Sequence, residues 1–200
     1  MIQVSLTDFV DFVHSSGSPK LTKVKQIKNR EEYHPAFDFW KPLREGIIDY
    51  HKSGKDDKSK LDKIVDNLKD DKKKKNYPSR IKGYKSFLGR KSIEYFEAPT
   101  DYWIPNNVRV SINPELGLKL NNSNHVIKLY FKADKLSKRK IDVILLLMHQ
   151  TLHSNLPDGI KFSILDVGNG KLFSTPNPDY SLAPLLKGEI QNFQTIWSSL

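Results

Sequence analysis

The sequence predicts an α+β protein in which a helical N-terminal region packs on an antiparallel-rich sheet. Three observations carry that prediction. Apolar residues recur at helical spacing as far as Leu88, then alternate with period two between residues 92 and 132. A long apolar helix pattern over 137–152 then separates those strands from further strand-like segments. The expected organisation is a basic helical region over 1–91 and an α+β core over 92–200.

Taken in order, Ser5 or Thr7 can cap a first helix with Leu6, Phe9, Val10 and Val13 on its apolar face, and Gly17-Ser18-Pro19 ends it. Residues 20–30 read as a basic linker. A second helix is expected over 35–51, with Pro35 in its first turn, Pro42 kinking or restarting it, and Phe37, Trp40, Leu43, Ile47 and Ile48 facing inward. Residues 53–60 read as an exposed loop. A third helix over 59–68 sets Leu61, Ile64, Val65 and Leu68 at i, i+3, i+4 and i+7. A fourth, over 78–88, ends at Gly89 and leaves the tetralysine at the joint between the two.

Beyond Lys91 the period changes. Residues 92–97 form a leading strand, and Val108, Val110 and Ile112 alternate with Arg109 and Ser111. Pro114 marks a turn, after which Leu116, Leu118 and Leu120 alternate with Gly117 and Lys119. Residues 121–124 form a hairpin turn into a strand over 125–132, which completes an antiparallel meander. Ser137 caps the buried helix. A strand over 161–167 turns at Gly168-Asn169-Gly170 into another over 171–174, and a terminal helix spans 184–197.

The charge is uneven. The chain carries 33 basic against 23 acidic residues, a net +10; residues 1–91 hold 22 and 13 of these, and residues 92–200 hold 11 and 10. Residues 72–91 contain nine cations and no acid, interleaved with Tyr77, Tyr84 and Phe87. Such a stretch suits a polyphosphate backbone, whose counterions lysines release and whose unpaired bases the rings can stack on. The same lysines equally suit a solvated surface or an acidic protein.

Several chemistries fall away. With no cysteine, disulfides, thiolate metal sites and cysteine nucleophiles are excluded. No phosphate-binding loop, dinucleotide fingerprint or nucleophile elbow occurs. The longest apolar run, VILLLM at 143–148, is six residues, too short to cross a membrane. The opening MIQVSLTDFVDF carries acids where an export signal carries cations, so the expected location is cytoplasmic. His149 and His153 stand four apart on a helix, a chelating spacing, but Gln-Thr-Leu lies between them and helix C-terminal histidines are the simpler reading.

The stretch VRVSINPELGLKLNNSNHVIKLYFK over 108–132, with its hairpin followed by a helix and a strand, resembles the core of PD-(D/E)XK nucleases, in particular the RecB-like branch. The resemblance spans residues 60–173 and implies a restriction-endonuclease-like fold. It also implies an acid on the second strand and an acid–X–lysine triplet on the third, with carboxylates holding Mg²⁺. Glu115 falls at the first position, and Lys128 or Lys132 at the triplet lysine. The acid of the triplet is missing, because Val126 precedes Lys128 and Tyr130 precedes Lys132 by two residues. Glu45 is the helical carboxylate that would have to serve instead.

The resulting expectation is a sequence-tolerant nucleic-acid-binding accessory protein with a nuclease-like but catalytically impaired core and no resident cofactor. Lys72, Lys73, Lys74, Lys75, Arg80, Lys82, Lys85, Arg90, Lys119, Lys132, Lys138, Arg139 and Lys140 are its phosphate ligands. The alternatives are a divergent Mg²⁺-dependent nuclease using Glu115 and Lys128, and an interaction module of a toxin or defence pair whose partner is an acidic protein. No membrane partner is expected.

Overall fold

The strands form two mixed sheets in a computed structural model that describes residues 1–30, 38–54 and 57–200. In the smaller sheet, β1 (Ile2–Ser5) runs parallel to the central β4 (Val108–Ile112), and β3 (Asp101–Trp103) pairs antiparallel on its other side. The larger has the order β2 (Ile93–Phe96), β5 (Leu116–Leu120), β6 (Ser123–Tyr130), β7 (Lys161–Asp166) and β8 (Lys171–Thr175). It is antiparallel everywhere except between β6 and β7. That parallel pair needs a crossover, supplied by α6 (Lys138–Leu152).

Helices cover both faces of the larger sheet. On one side α1 (Leu6–His14), α2 (Ser18–Lys28), α6 and α7 (Ala183–Ser199) share a core with the smaller sheet, built from Phe9, Phe12, Val110, Val126, Leu146, Phe162 and Phe193 among others. On the other, α3 (Lys41–Lys52), α4 (Ser59–Asp66) and α5 (Asp71–Leu88) bury Leu43, Ile47, Leu61, Tyr77, Ile81 and Tyr84 against Leu118, Ile127 and Leu165. Strand β6 feeds both cores. Val126 and Tyr130 point into the first, while Ile127 and Leu129, and Phe131 just past the strand, point into the second.

The α+β class, the buried helix after Ser137, the strand at β2, the Gly168-Asn169-Gly170 turn and the terminal helix all stand as expected. The β5–β6 hairpin turns on Asn121 and Asn122, whose φ of 47° and 72° lie in the left-handed region that asparagine tolerates.

The meander does not. β4 and β5 belong to different sheets, because Val108, Val110 and Ile112 feed the first core and Leu116, Leu118 and Leu120 the second. Alternation identifies the inward residues of a strand without saying which core receives them. The short strands β1 and β3 complete the smaller sheet, and the sequence reading contains neither.

Residues 18–28 are a helix instead of a linker. Pro19 sits in its first turn, Val24 is fully buried, and Lys20 and Lys23 make ion pairs with Glu189 and Asp8. α5 begins at Asp71, so the tetralysine lies inside a helix and not at a joint: the Asp70 carboxylate accepts from the Lys72 and Lys73 amides at 2.8 and 3.1 Å. The helix continues through Pro78. In α3 Pro42 occupies the first turn and so starts the helix; Tyr33, Pro35 and Phe37 lie outside the described residues. A boundary at residue 91 does not separate two cores, since β1 pairs with β4 and α1 packs into the core shared by α6 and α7. Among the described residues no helix is long and apolar enough to cross a membrane.

Candidate nucleic-acid interface

Helix α5 is amphipathic in an unusual way: its inner side is aromatic and its outer side cationic. Tyr77, Tyr84 and Phe87 are 0%, 0% and 2% exposed and belong to the second core. The Tyr77 hydroxyl donates to the Phe39 carbonyl, and the ring stacks on Trp40, which stacks in turn on Phe131. Burial pushes the Tyr77 phenol up to about 12. Tyr84 shares a 2.5 Å hydrogen bond with His51 Nε2. The rings expected to stack on bases are therefore occupied inside the fold.

The cations divide into two groups. Lys72, Lys75, Lys82 and Arg90 are exposed, and their side chains have no hydrogen bond or ion pair among the described residues. Lys72, Lys75 and Lys82 advance along α5 by three and then seven residues, which keeps them on one face over about 15 Å. Lys73 lies 6.0 Å from the Phe39 ring, and Lys74 pairs loosely with Asp71 at 3.7 Å. Deeper residues hold the fold. Arg80 Nε donates to the Phe131 carbonyl at 3.1 Å while its guanidinium covers Trp40 at 5.7 Å, and Lys85 reaches Asp62 at 2.5 Å.

Arg80 also brings the second basic segment close, because Phe131 immediately precedes Lys132. There Lys132 is paired with Asp11 at 2.5 Å, Lys140 with the same carboxylate at 3.5 Å, and Lys138 with Asp142 at 2.6 Å. Lys135 and Arg139 are exposed and unpaired among the described residues. Lys119 is tied across β2–β5 to Glu94 at 3.2 Å, away from either segment.

Asp11 is a residue that sequence reasoning missed. Lys23 of α2, Lys132 of the loop after β6 and Lys140 of α6 converge on it, and Asp8, one turn before it, holds Lys23 at 2.9 Å and Arg30 at 2.9 Å. Burial pushes both carboxyls up, but the hydrogen bonds and charges of these cations outweigh it and hold both below the usual carboxylate range. No local motif announces pairs formed across such sequence distances.

The residues singled out for metal chemistry form a closed pair. Lys128 Nζ lies 2.5 Å from Glu115 Oε1 and donates to the Asn113 carbonyl at 3.0 Å; Glu115 Oε2 accepts from the Leu129 amide at 2.7 Å. Their side chains are 12% and 9% exposed. Both carboxylate oxygens are thus engaged. Val126, at the place of the missing acid, is fully buried, and Tyr130 presents a buried phenol without a hydrogen-bond partner among the described residues, pushed up to about 12 by burial and by Asp134, Asp11 and Asp166.

Glu45 does not complete the set. It is on α3, over the opposite face of the sheet from Lys128, and pairs with Lys41 at 3.5 Å. These residues do not fit a Mg²⁺ site. His149 and His153 stack with ring centres 4.3 Å apart, and His149 Nδ1 is 2.7 Å from the Tyr180 hydroxyl. Among the described residues no three His, Asp or Glu side chains are grouped to hold a metal. Comparison with known proteins yields no matching family model, no matching curated protein and no matching solved structure.

Proposed function

We propose that this chain is a nucleic-acid-binding accessory protein that grips phosphates through the outer face of α5, whatever the base sequence, beside a nuclease-like sheet without hydrolytic activity. The observation that carries the reading is the division of the cations. Most basic side chains near the sheet are tied to carboxylates or carbonyls, whereas Lys72, Lys75 and Lys82 stand free on one helical face with Arg90 just beyond it. Of the acids near the row, Asp71 and Asp62 are taken up by Lys74 and Lys85, and a polyanion that releases its counterions there gives the unpaired lysines a role.

The nuclease-like part is supported within the larger sheet by the antiparallel run β2–β5–β6, the crossover helix α6 and the parallel β6–β7 pair, with Glu115 opposite Lys128 just before β5. β3 and β4, which intervene in the chain, belong to the smaller sheet, so Val108–Ile112 is not part of this run. The want of activity rests on Val126 and on the saturated Glu115.

Fluorescence anisotropy with labelled oligonucleotides of several sequences, repeated across a salt series, tests the binding. Four free cations predict a log–log salt slope of about −3 to −4, similar for every sequence. Replacing Lys72, Lys75 and Lys82 together by alanine is expected to flatten it by about 2 to 3. An affinity indifferent to salt, or a variant that binds as the wild type does, would overturn the proposal.

A further inference from the structure

The same helical face also says which form of nucleic acid it suits. We infer that α5 tracks the phosphates of a duplex and discriminates against single strands, an inference that rests on the function proposed above. Proteins that hold single strands combine a cationic groove with rings on which successive bases stack. Helix α5 offers only half of that combination.

Its rings are in the core, and the positions between its free cations are Asn76, Ser79 and Ser86, all small and polar. The two exposed aromatic residues among those described are elsewhere and already engaged. Tyr102, on β3, lies under the Arg109 guanidinium at 3.4 Å, and Tyr180 is held by His149. A single strand laid on this face would keep its bases in water without a partner. A duplex stacks its own bases and asks only for phosphate contacts.

Rigidity argues the same way. The helix is 18 residues long, about 27 Å, capped at its start by Asp70 and pinned in its middle where Gly83 meets the β7–β8 turn. A fixed row of point charges matches a polymer whose phosphates are themselves held at regular spacing. It matches a flexible strand less well, because that strand must be ordered on binding. Lys135 and Arg139, in the segment that follows the Arg80–Phe131 contact, are exposed and unpaired among the described residues but lie outside this row.

The test compares a mixed-sequence duplex with its two separated strands, length for length, by anisotropy at several salt concentrations, while following intrinsic tryptophan fluorescence. The duplex is expected to bind at least tenfold more tightly, and neither form should quench the fluorescence, since no ring is covered. Single strands bound as tightly as the duplex, or bound with quenching, would overturn the inference and leave nucleic-acid binding standing. Failure of both polymers to bind would overturn the two together. The alanine variant at Lys72, Lys75 and Lys82 keeps good helix formers in α5, and losing duplex affinity with an unchanged melting temperature is the expected outcome; unchanged duplex affinity would place the contact elsewhere and overturn the inference.

Discussion

Lys128 closes on Glu115 at 2.5 Å, and the Leu129 amide takes the second carboxylate oxygen, so the pair that a nuclease would open toward metal is turned into a clasp between β5 and β6. At 12% and 9% exposure neither charge has water to fall back on. Removing one partner of such a pair typically costs about 3–5 kcal/mol, whereas replacing both by apolar groups is often neutral. Glu115→Gln is therefore expected to lower the urea midpoint strongly, and adding Lys128→Met, which removes the stranded buried cation, to recover part of the loss. Mn²⁺ should leave the wild-type melting temperature unchanged, and a metal-dependent rise that vanishes in Glu115→Gln would sink this account.

Local patterns were sufficient where local physics decides. The Ser137 cap, the apolar block of α6, and the Asn121-Asn122 turn each depend on residues within a few positions. The pairing of Glu115 with Lys128 was likewise within reach, because both lie on strands joined by one hairpin. Partnerships across the chain were not. Asp11 meets Lys132 only after the fold has formed, and β1 meets β4 across more than a hundred residues. The outward turn of the lysines in 72–82 follows from the start of α5 at Asp71; a helix beginning at Pro78 leaves the tetralysine and Tyr77 outside it and gives them no fixed face.

Gly83 gives a case where two rules predict opposite signs. In an exposed helix, glycine to alanine stabilises by about 1 kcal/mol. A methyl at Gly83 would stand 2.2 Å from the Val167 carbonyl oxygen and 2.4 Å from that of Gly168, both backbone atoms with little room to move. Overpacking of this kind costs typically about 1–3 kcal/mol, so Gly83→Ala should destabilise. Gly188 on α7 has nothing within 4 Å of the same position, and Gly188→Ala should stabilise. Denaturant melts of the two variants shifting in the same direction would contradict this reading.

Acid should weaken the fold through a histidine. His125 is buried with its Nδ1 2.9 Å from Ser163 Oγ, and burial, helped by Lys161, lowers its pKa to about 4. The unfolded chain takes up its proton near 6.5, so between those values the unfolded state binds more protons and stability rises with pH. The full window is worth at most about 3 kcal/mol, less what solvent screening removes. His14 and His149, also lowered chiefly by burial, add in the same direction. Urea midpoints measured from pH 7 down to 4.5 should fall in the wild type and fall less in His125→Leu; parallel curves would sink the assignment.

The division of the cations predicts a division of phenotypes. Lys132 and Lys23 act on Asp11 and Asp8, and through them hold α1 and α2 to the sheet, so alanine at either should lower stability while leaving the salt slope of nucleic-acid binding near its wild-type value. Lys72, Lys75 and Lys82 touch no carboxylate among the described residues, so their replacement should leave stability within about 0.5 kcal/mol and take the slope instead. Asp11→Asn separates the two effects within one residue. It weakens the clasp of three lysines, which lowers stability, and it releases Lys132, whose side chain is already 35% exposed, to meet a phosphate. Its expected signature is a less stable protein with a salt slope steeper by about one, a combination that general unfolding cannot produce, because unfolding would weaken binding instead of adding a contact.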